Sequence, residues 1–262
     1  MKNTDVLREI VNKKKERLLL AQQAVGLEEL KAKIQAREPA RPFIKAINKP
    51  QQISLIAEIK KASPSMGLIR QECNPGQIAR EYQEAGAQAL SIVTEEDFFC
   101  GSLAFLEEAR QQAQLPILRK DFILEPYQVY ESRAYGADAI LLIADLLSKD
   151  TLRELMDVAS EVGLECLIEA HAEKELKKIL NLKNPLIGIN NRDLHTLEVD
   201  SKTIEKLFLL IPKEKIVVAE SGITHYQDVL FLKILGVKAV LIGTAFMQAQ
   251  DIKAKVEEVM GW

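Results

Sequence analysis

From about residue 53 onward the chain repeats one alternation, and this restricts its fold more than any other feature. Short β-branched or apolar runs recur, each followed by a polar segment whose apolar members keep helical spacing. Eight runs can be read: ISLIAEIK from 53, ALSIVTE from 89, PILRKDF from 116, AILLIA from 139, LECLIEA from 164, LIGINN from 186, IVVAES from 216 and AVLIGT from 239. Intervening segments such as PGQIAREYQEAG, LEPYQVYESRAYG, KDTLRELMDVASEVG and YQDVLFLKILG end on glycine, the residue that commonly closes a helix. The hand-over phrases AGAQAL, YGADAI and LGVKAV add a weak internal repeat. Strands alternating with helices imply a parallel sheet, and eight units in about 210 residues fit a closed barrel. An open doubly wound sheet usually carries GxGxxG after its first strand, and that motif is missing here. The expected architecture is α/β: a (β/α)8 TIM barrel in one domain over 1–262, with 1–47 a helical N-terminal extension and 48–262 the barrel.

In the extension, Val6, Leu7, Ile10 and Val11 have helical spacing after the candidate cap Thr4, and Leu27, Leu30 and Ile34 follow Gly26. Pro39 and Pro42 end this helical region. The Lys13-Lys14-Lys15 run reads as the solvated face of the first helix.

A net charge of −3 and a pI near 5.8 supply no basic field of the kind that binds nucleic acid. Cys73, Cys100 and Cys166 have no CxxC spacing, which suggests neither a disulfide framework nor a zinc knuckle and fits a cytoplasmic protein. Charges interrupt each apolar cluster near the N-terminus, so no signal-peptide core is expected, and the run AILLIADLL is too short to span a bilayer.

Inward residues alternate along barrel strands, and the C-terminal strand ends carry the chemistry. In the first run Ile56, Glu58 and Lys60 share a face; elsewhere Leu118 precedes Lys120, Leu167 precedes Glu169 and Val218 precedes Glu220. The sixth run ends at Asn190 and the eighth at Gly243. The polar member is always last in its row. One such charge usually marks an exit to solvent. Five converging on one rim must pair with each other or with a ligand, as a structural ion network or as a site. After the seventh and eighth runs SGIT and GTAF offer an anion site: Gly222 and Gly243 would admit backbone N–H groups, and a helix from Thr244 would add its positive end. Ser63 and Ser65 could close it, with Lys60 as counter-charge.

AEIKKASPS, LRKDFI, LIEAH, IGINNRDL, AESGI and LIGTAFM, in this order and spacing across the whole chain, resemble the indole-3-glycerol phosphate synthase family, which also has a helical N-terminal extension. The resemblance implies a carboxy-lyase of tryptophan biosynthesis. Its reaction closes the ring of 1-(2-carboxyphenylamino)-1-deoxyribulose 5-phosphate to indole-3-glycerol phosphate, with loss of carbon dioxide and water. No metal or organic cofactor is implied, and the partner is a small phosphorylated molecule for a monomer or weak homo-oligomer. By the same resemblance Lys120 is the general acid at the ketone oxygen and Glu169 handles the later proton transfers. Glu58 pairs with the catalytic lysine and Lys60 contacts the substrate's anionic groups. Asn190 and Glu220 position polar groups, Arg192 helps hold the anthranilate carboxylate and Phe122 walls its ring. Ser63, Ser221, Gly222, Gly243 and Thr244 are phosphate-side and substrate contacts. Many members have a basic residue where this chain has Met66, and the chain ends at Trp262 as the stand-alone form would.

The two lysines and three glutamates leave no catalytic role for histidine, so His171, His195 and His225 are expected to cap helices or bond at the surface. Two other readings remain. A sugar-phosphate isomerase barrel would close its first strand on cysteine or aspartate rather than on Glu58 and Lys60. A non-catalytic phosphate-binding barrel would be expected to lose Lys120 or Glu169.

Overall fold

A computed structural model describes residues 5–262; the expected cap Thr4 lies outside them. The extension contains α1 (Val6–Ala24), α2 (Leu27–Gln35) and α3 (Phe43–Ile47). Asp5 caps α1, accepting from the Arg8 N–H at 3.4 Å. At five residues between prolines, α3 is too short to display a helical period in the sequence.

All eight runs are strands: β1 (Ser54–Ile59), β2 (Ala89–Val93), β3 (Ile117–Lys120), β4 (Ala139–Ile143), β5 (Glu165–Ala170), β6 (Leu186–Asn190), β7 (Ile216–Glu220) and β8 (Ala239–Ile242). Each runs parallel to its neighbours, and β8 returns to β1 with Ile56 opposite Leu241, closing the barrel. The intervening helices are α4 (Pro75–Glu84), α5 (Ala104–Gln112), α6 (Pro126–Ala134), α7 (Lys149–Glu161), α8 (Glu173–Leu180), α9 (Lys202–Phe208) and α10 (Tyr226–Leu235), followed by α11 (Thr244–Met247) and α12 (Ile252–Met260). Gly86, Gly136, Gly163 and Gly236, past the ends of α4, α6, α7 and α10, have φ of 90°, 93°, 77° and 107°. A side chain there would strain the turn back toward the next strand.

Alternation along the strands divides the core in two. Ile56, Leu118, Leu167, Val218 and Leu241 point inward and form one buried cluster, while Leu55, Ile117, Ile168, Val217 and Val240 point outward beneath the helices. Phe43 and Ile47 of α3 belong to the inner cluster and are wholly buried. The Ile44 N–H beside them donates to Glu165 at the N-terminal end of β5 (2.7 Å), so α3 plugs the barrel floor.

At the other end, Leu7 and Ile10 of α1 line the barrel mouth. Leu7, Ile10, Lys14 and Leu18 form the buried stripe of α1, and this corrects the reading of the lysine run. Lys13 and Lys15 are solvated, but Lys14 is 6% exposed and its Nζ lies 2.7 Å from the buried Asp121 carboxylate. Position on the stripe outweighs composition, because one helix face is buried whatever residues occupy it.

Candidate active site

The C-terminal strand ends surround a cavity of about 450 Å³. Glu58 ends the inward row of β1 and Lys60 follows just past that strand; Lys120, Glu169, Asn190 and Glu220 come from β3, β5, β6 and β7. Ser63, Phe122, Arg192, Ser221, Gly222, Gly243 and Thr244 line the same space, so the residues expected to form the site face one cavity.

The charges pair in two groups. Lys120 Nζ donates to Glu169 Oε2 at 3.0 Å and to Glu220 Oε2 at 2.9 Å, while Lys60 Nζ donates to Glu58 Oε1 at 2.5 Å. The expected pairing of Glu58 with the catalytic lysine is therefore replaced by one with its own strand neighbour. Two residues apart on one extended face, Glu58 and Lys60 bond without bending the chain.

Neighbouring glycines make room for these carboxylates. A Cβ on Gly188, in β6, would lie 2.4 Å from Glu220 Oε1, and one on Gly243 would lie 2.4 Å from Glu58 Oε1. Gly243 has an ordinary φ of −128°, so what it supplies is space for Glu58. The SG turn differs: Ser221 and Gly222 have φ of 64° and 76°, a left-handed pair in which the serine is strained. On the β1 side a short hairpin pairs Ser63 with Gly67, and the Ser63 and Ser65 hydroxyls are 3.4 Å apart. The Arg192 guanidinium is half-buried and donates to the Leu197 carbonyl at 2.7 Å.

The carboxylates bonded to Lys120 sit in unequal environments. Burial would raise Glu169, but Lys120 and His171 outweigh it and hold the carboxyl well below its ordinary range. Asn190 Nδ2 adds a bond to Glu169 Oε1 at 3.2 Å. Among the described residues Glu220 Oε1 has no hydrogen-bond partner; burial pushes Glu220 up to about 8, with Lys120 opposing and Glu169 reinforcing. Lys120 stays protonated, since Glu169, Glu220 and Glu58 together outweigh its burial. Two carboxyls with separated proton affinities, joined by a cation, can hold and release a proton near neutral pH.

His171 does not lie at the surface. Its side chain is 10% exposed, and Nε2 stands 3.1 Å from Glu169 Oε1, off the axis of a well-aligned hydrogen bond. Alternation carries β5 inward at Glu169, and the next residue on that face is His171. His195 and His225 do bond at the surface: His195 bridges Asp5 and Asp145, at 3.0 and 2.8 Å, and His225 precedes α10 beside Thr224.

Several lining residues carried no signal in the sequence. Asp121 follows Lys120, accepts the Phe122 N–H at 2.7 Å and bonds Thr94 and Arg119 through its other oxygen. Burial would raise its proton affinity, but Lys14 and Arg119 draw it well below the usual carboxylate range. Buried Glu95 accepts the N–H groups of Asp97, Phe98 and Phe99, folding the loop after β2 so that Phe99 meets Phe122 with ring centroids 6.2 Å apart. Loop folding, rather than strand alternation, places these groups.

A family model described as indole-3-glycerol phosphate synthase matches residues 7–259. Curated proteins of that name from Desulforamulus reducens and Acetivibrio thermocellus are 47% and 48% identical over 256 and 255 residues. These alignments cover 97% of this chain in both cases and 97% and 98% of the relatives. Among solved structures, a variant tryptophan synthase α-subunit from Pyrococcus furiosus aligns with a TM-score of 0.61 at 18% identity, covering 80% of this chain and 98% of that one, a likeness of fold. Spanning both the barrel and α1, the match places this chain in the indole-3-glycerol phosphate synthase family.

Proposed function

We propose that the two charge groups of the mouth divide the work of the family's reaction. The activity is that of a carboxy-lyase in tryptophan biosynthesis acting on a small phosphorylated substrate. The observation that carries the division of roles is Lys120 held between Glu169 and Glu220 in the buried part of the cavity. Ring closure puts negative charge on the ketone oxygen, and a protonated lysine there stabilises it and gives it a proton. Carbon dioxide then leaves from the ring carbon. Glu169, ionised, accepts a proton as the hydroxyl departs and the ring becomes aromatic. Glu220, whose proton affinity is raised by burial and by Glu169, returns a proton to Lys120 or gives it to the departing hydroxyl, which leaves as water.

Phe122 and Phe99 supply an apolar wall suited to the anthranilate ring. Lys60 and Arg192 face the substrate's carboxylate, Asn190 orients Glu169, and Glu58 holds Lys60 in place while assisting proton movement. The strained Ser221 with Gly222, Gly243 and Thr244 after the adjacent strand β8, and Ser63 form the phosphate side. We further propose a single barrel domain carrying residues 1–47 as its extension, acting in the cytoplasm as a monomer or weak homo-oligomer. In support of one domain, α1 of the extension brings Leu7 and Ile10 into the same cavity as the strand ends.

The test is conversion of the carboxyphenylamino substrate to its fluorescent indole product without added metal. Lys120→Ala should lower kcat by about 1,000-fold or more, within the range of positioned acid–base groups, while the far-UV spectrum stays unchanged. Full activity in that variant removes Lys120 from the reading. Tight substrate binding by the wild type without turnover would favour a non-catalytic barrel.

A further inference from the structure

We propose that His171 is a positioning residue for the reaction, a cationic bridge from Glu175 that fixes Glu169 as the ionised carboxyl of the pair bonded to Lys120. The proposal rests on the reading of Glu169 as the group that accepts a proton in the later steps. Its basis is a chain of side chains running outward from the cavity. Glu169 Oε2 takes Lys120, and Oε1 is left to Asn190 and to His171 Nε2 at 3.1 Å. On the far side of the ring, His171 Nδ1 is 3.4 Å from Glu175 Oε2, which also accepts the His171 backbone N–H at 2.7 Å. Glu175 is itself anchored in the first turn of α8, where it accepts the Ala172 N–H at 3.3 Å. The imidazole is thus held between two carboxylates, one at the chemistry and one fixed to a helix N-terminus.

The charge count at the mouth points the same way. Glu58, Glu169 and Glu220 face two ammonium groups, Lys60 and Lys120. Lys60 is taken by Glu58, so the buried group on Lys120 has two carboxyls for one cation. If His171 is protonated, Glu169 gains a second cation and Glu220 gains none, which assigns the shared proton to Glu220. Burial disfavours the charged imidazole, but Glu169 and Glu175 outweigh it and raise His171 to about 10, so the cation is present at neutral pH. The groups facing Glu169 are Lys120 from β3, Glu220 from β7, Asn190 from β6 and, further off, the Glu58–Lys60 pair from β1; those facing His171 are Glu169 and Glu175. Removing the imidazolium therefore raises Glu169 toward Glu220 and blurs the division between them.

The experiment compares His171→Ala, His171→Gln, Glu175→Gln and Glu169→Gln with the wild type in steady-state assays from about pH 3.5 to 9, a range that reaches below the ordinary carboxylate value, toward Glu169, and past the value of Glu220. Melting curves confirm that each is folded. His171→Ala should lose about 10- to 100-fold in kcat with KM changed less than about 3-fold, as partners of first-contact groups do when removed. The acidic limb of its kcat profile should move up by about one pH unit or more, since Glu169 then protonates more readily. His171→Gln, which keeps hydrogen bonding without charge, should show the same displaced limb, and Glu175→Gln a smaller displacement in the same sense. Should His171→Ala fail to fold, His171→Gln and Glu175→Gln carry the test. An unmoved limb in folded His171 variants, or a loss confined to KM, overturns the proposal. An inactive Glu169→Gln beside a normal His171→Ala refutes the bridge alone, whereas an active Glu169→Gln removes the reading beneath it.

Discussion

Lys14→Met tests whether α1 is part of the active-site architecture or merely lies over it. The substitution keeps an unbranched side chain of similar length in the buried stripe with Leu7, Ile10 and Leu18 and deletes only the ammonium. Asp121, wholly buried, then loses a 2.7 Å partner but keeps Arg119 at 3.0 Å, Thr94 and the Phe122 N–H. Breaking one partner from a buried pair costs about 3–5 kcal/mol, and the bonds left to Asp121 place the expectation near the low end, about 3 kcal/mol. In a chain of this length that corresponds to a fall in melting temperature of roughly 6 °C or more. The urea midpoint should fall at unchanged slope. The pH dependence follows from the sign of the shift. Asp121 binds its proton less readily folded than unfolded, so it stabilises the fold above an unfolded pKa near ~3.9 and loses this as pH falls through its folded value. Without Lys14 the depression is smaller, so the gap between variant and wild type should be full at pH 7 and narrow below about pH 4. Asp121 stands between Lys120 and Phe122, so kcat/KM should fall as well. Equal urea midpoints at pH 7, or a gap that does not narrow in acid, would refute the argument.

Gly243→Ala puts a methyl group 2.4 Å from Glu58 Oε1; displacing that carboxylate should cost about 1–3 kcal/mol in a melting experiment and about 10-fold or more in kcat/KM. Gly188→Ala makes the same clash with Glu220 Oε1 and should lower kcat more than KM, by comparison of the two constants. Glu220→Gln removes a group whose folded proton affinity is raised to about 8. The stability that wild-type Glu220 contributes is full below its unfolded pKa near ~4.3 and is lost as pH rises through about 8. The variant should therefore gain on the wild type in urea midpoint between pH 5 and 9, and a constant difference would count against the buried proton.

The barrel was legible because its signal is repeated and local. Strand alternation has a period of two, so Ile56–Glu58, Leu118–Lys120, Leu167–Glu169 and Val218–Glu220 announce both the inward face and the level at which packing ends. The rest escaped where position depends on partners distant in sequence. Lys14 looks solvated in a lysine triplet, and only its spacing from Leu7, Ile10 and Leu18 marks it as buried, with a partner that arrives on the loop after β3. Gly188 reads as one small residue in an apolar run; its function is to leave space for a side chain on the adjacent strand. His171 could have been found by continuing the β5 alternation one step beyond the strand end, and Glu95 and Phe99 could not, because hydrogen bonds within a loop set their directions.

The pairing of the five strand-end charges at the mouth has a consequence for how the site meets its substrate. Lys60 and Lys120 are 16% and 18% exposed in their side chains, while Glu58, Glu169 and Glu220 are at most 3% exposed, so an anion entering the cavity reaches ammonium before carboxylate. Each lysine keeps a hydrogen to donate to a substrate oxygen, since an ammonium has three and the internal bonds use one on Lys60 and two on Lys120. The internal pairs therefore aim the remaining N–H bonds into the cavity instead of competing for them. Such fixed dipoles need little reorganisation as charge develops on the ketone oxygen, which is how buried ion pairs that add little to stability can contribute to rate. The lysines are thus held by carboxylates behind them, and those carboxylates are in turn seated by glycines, by Asn190 and by His171.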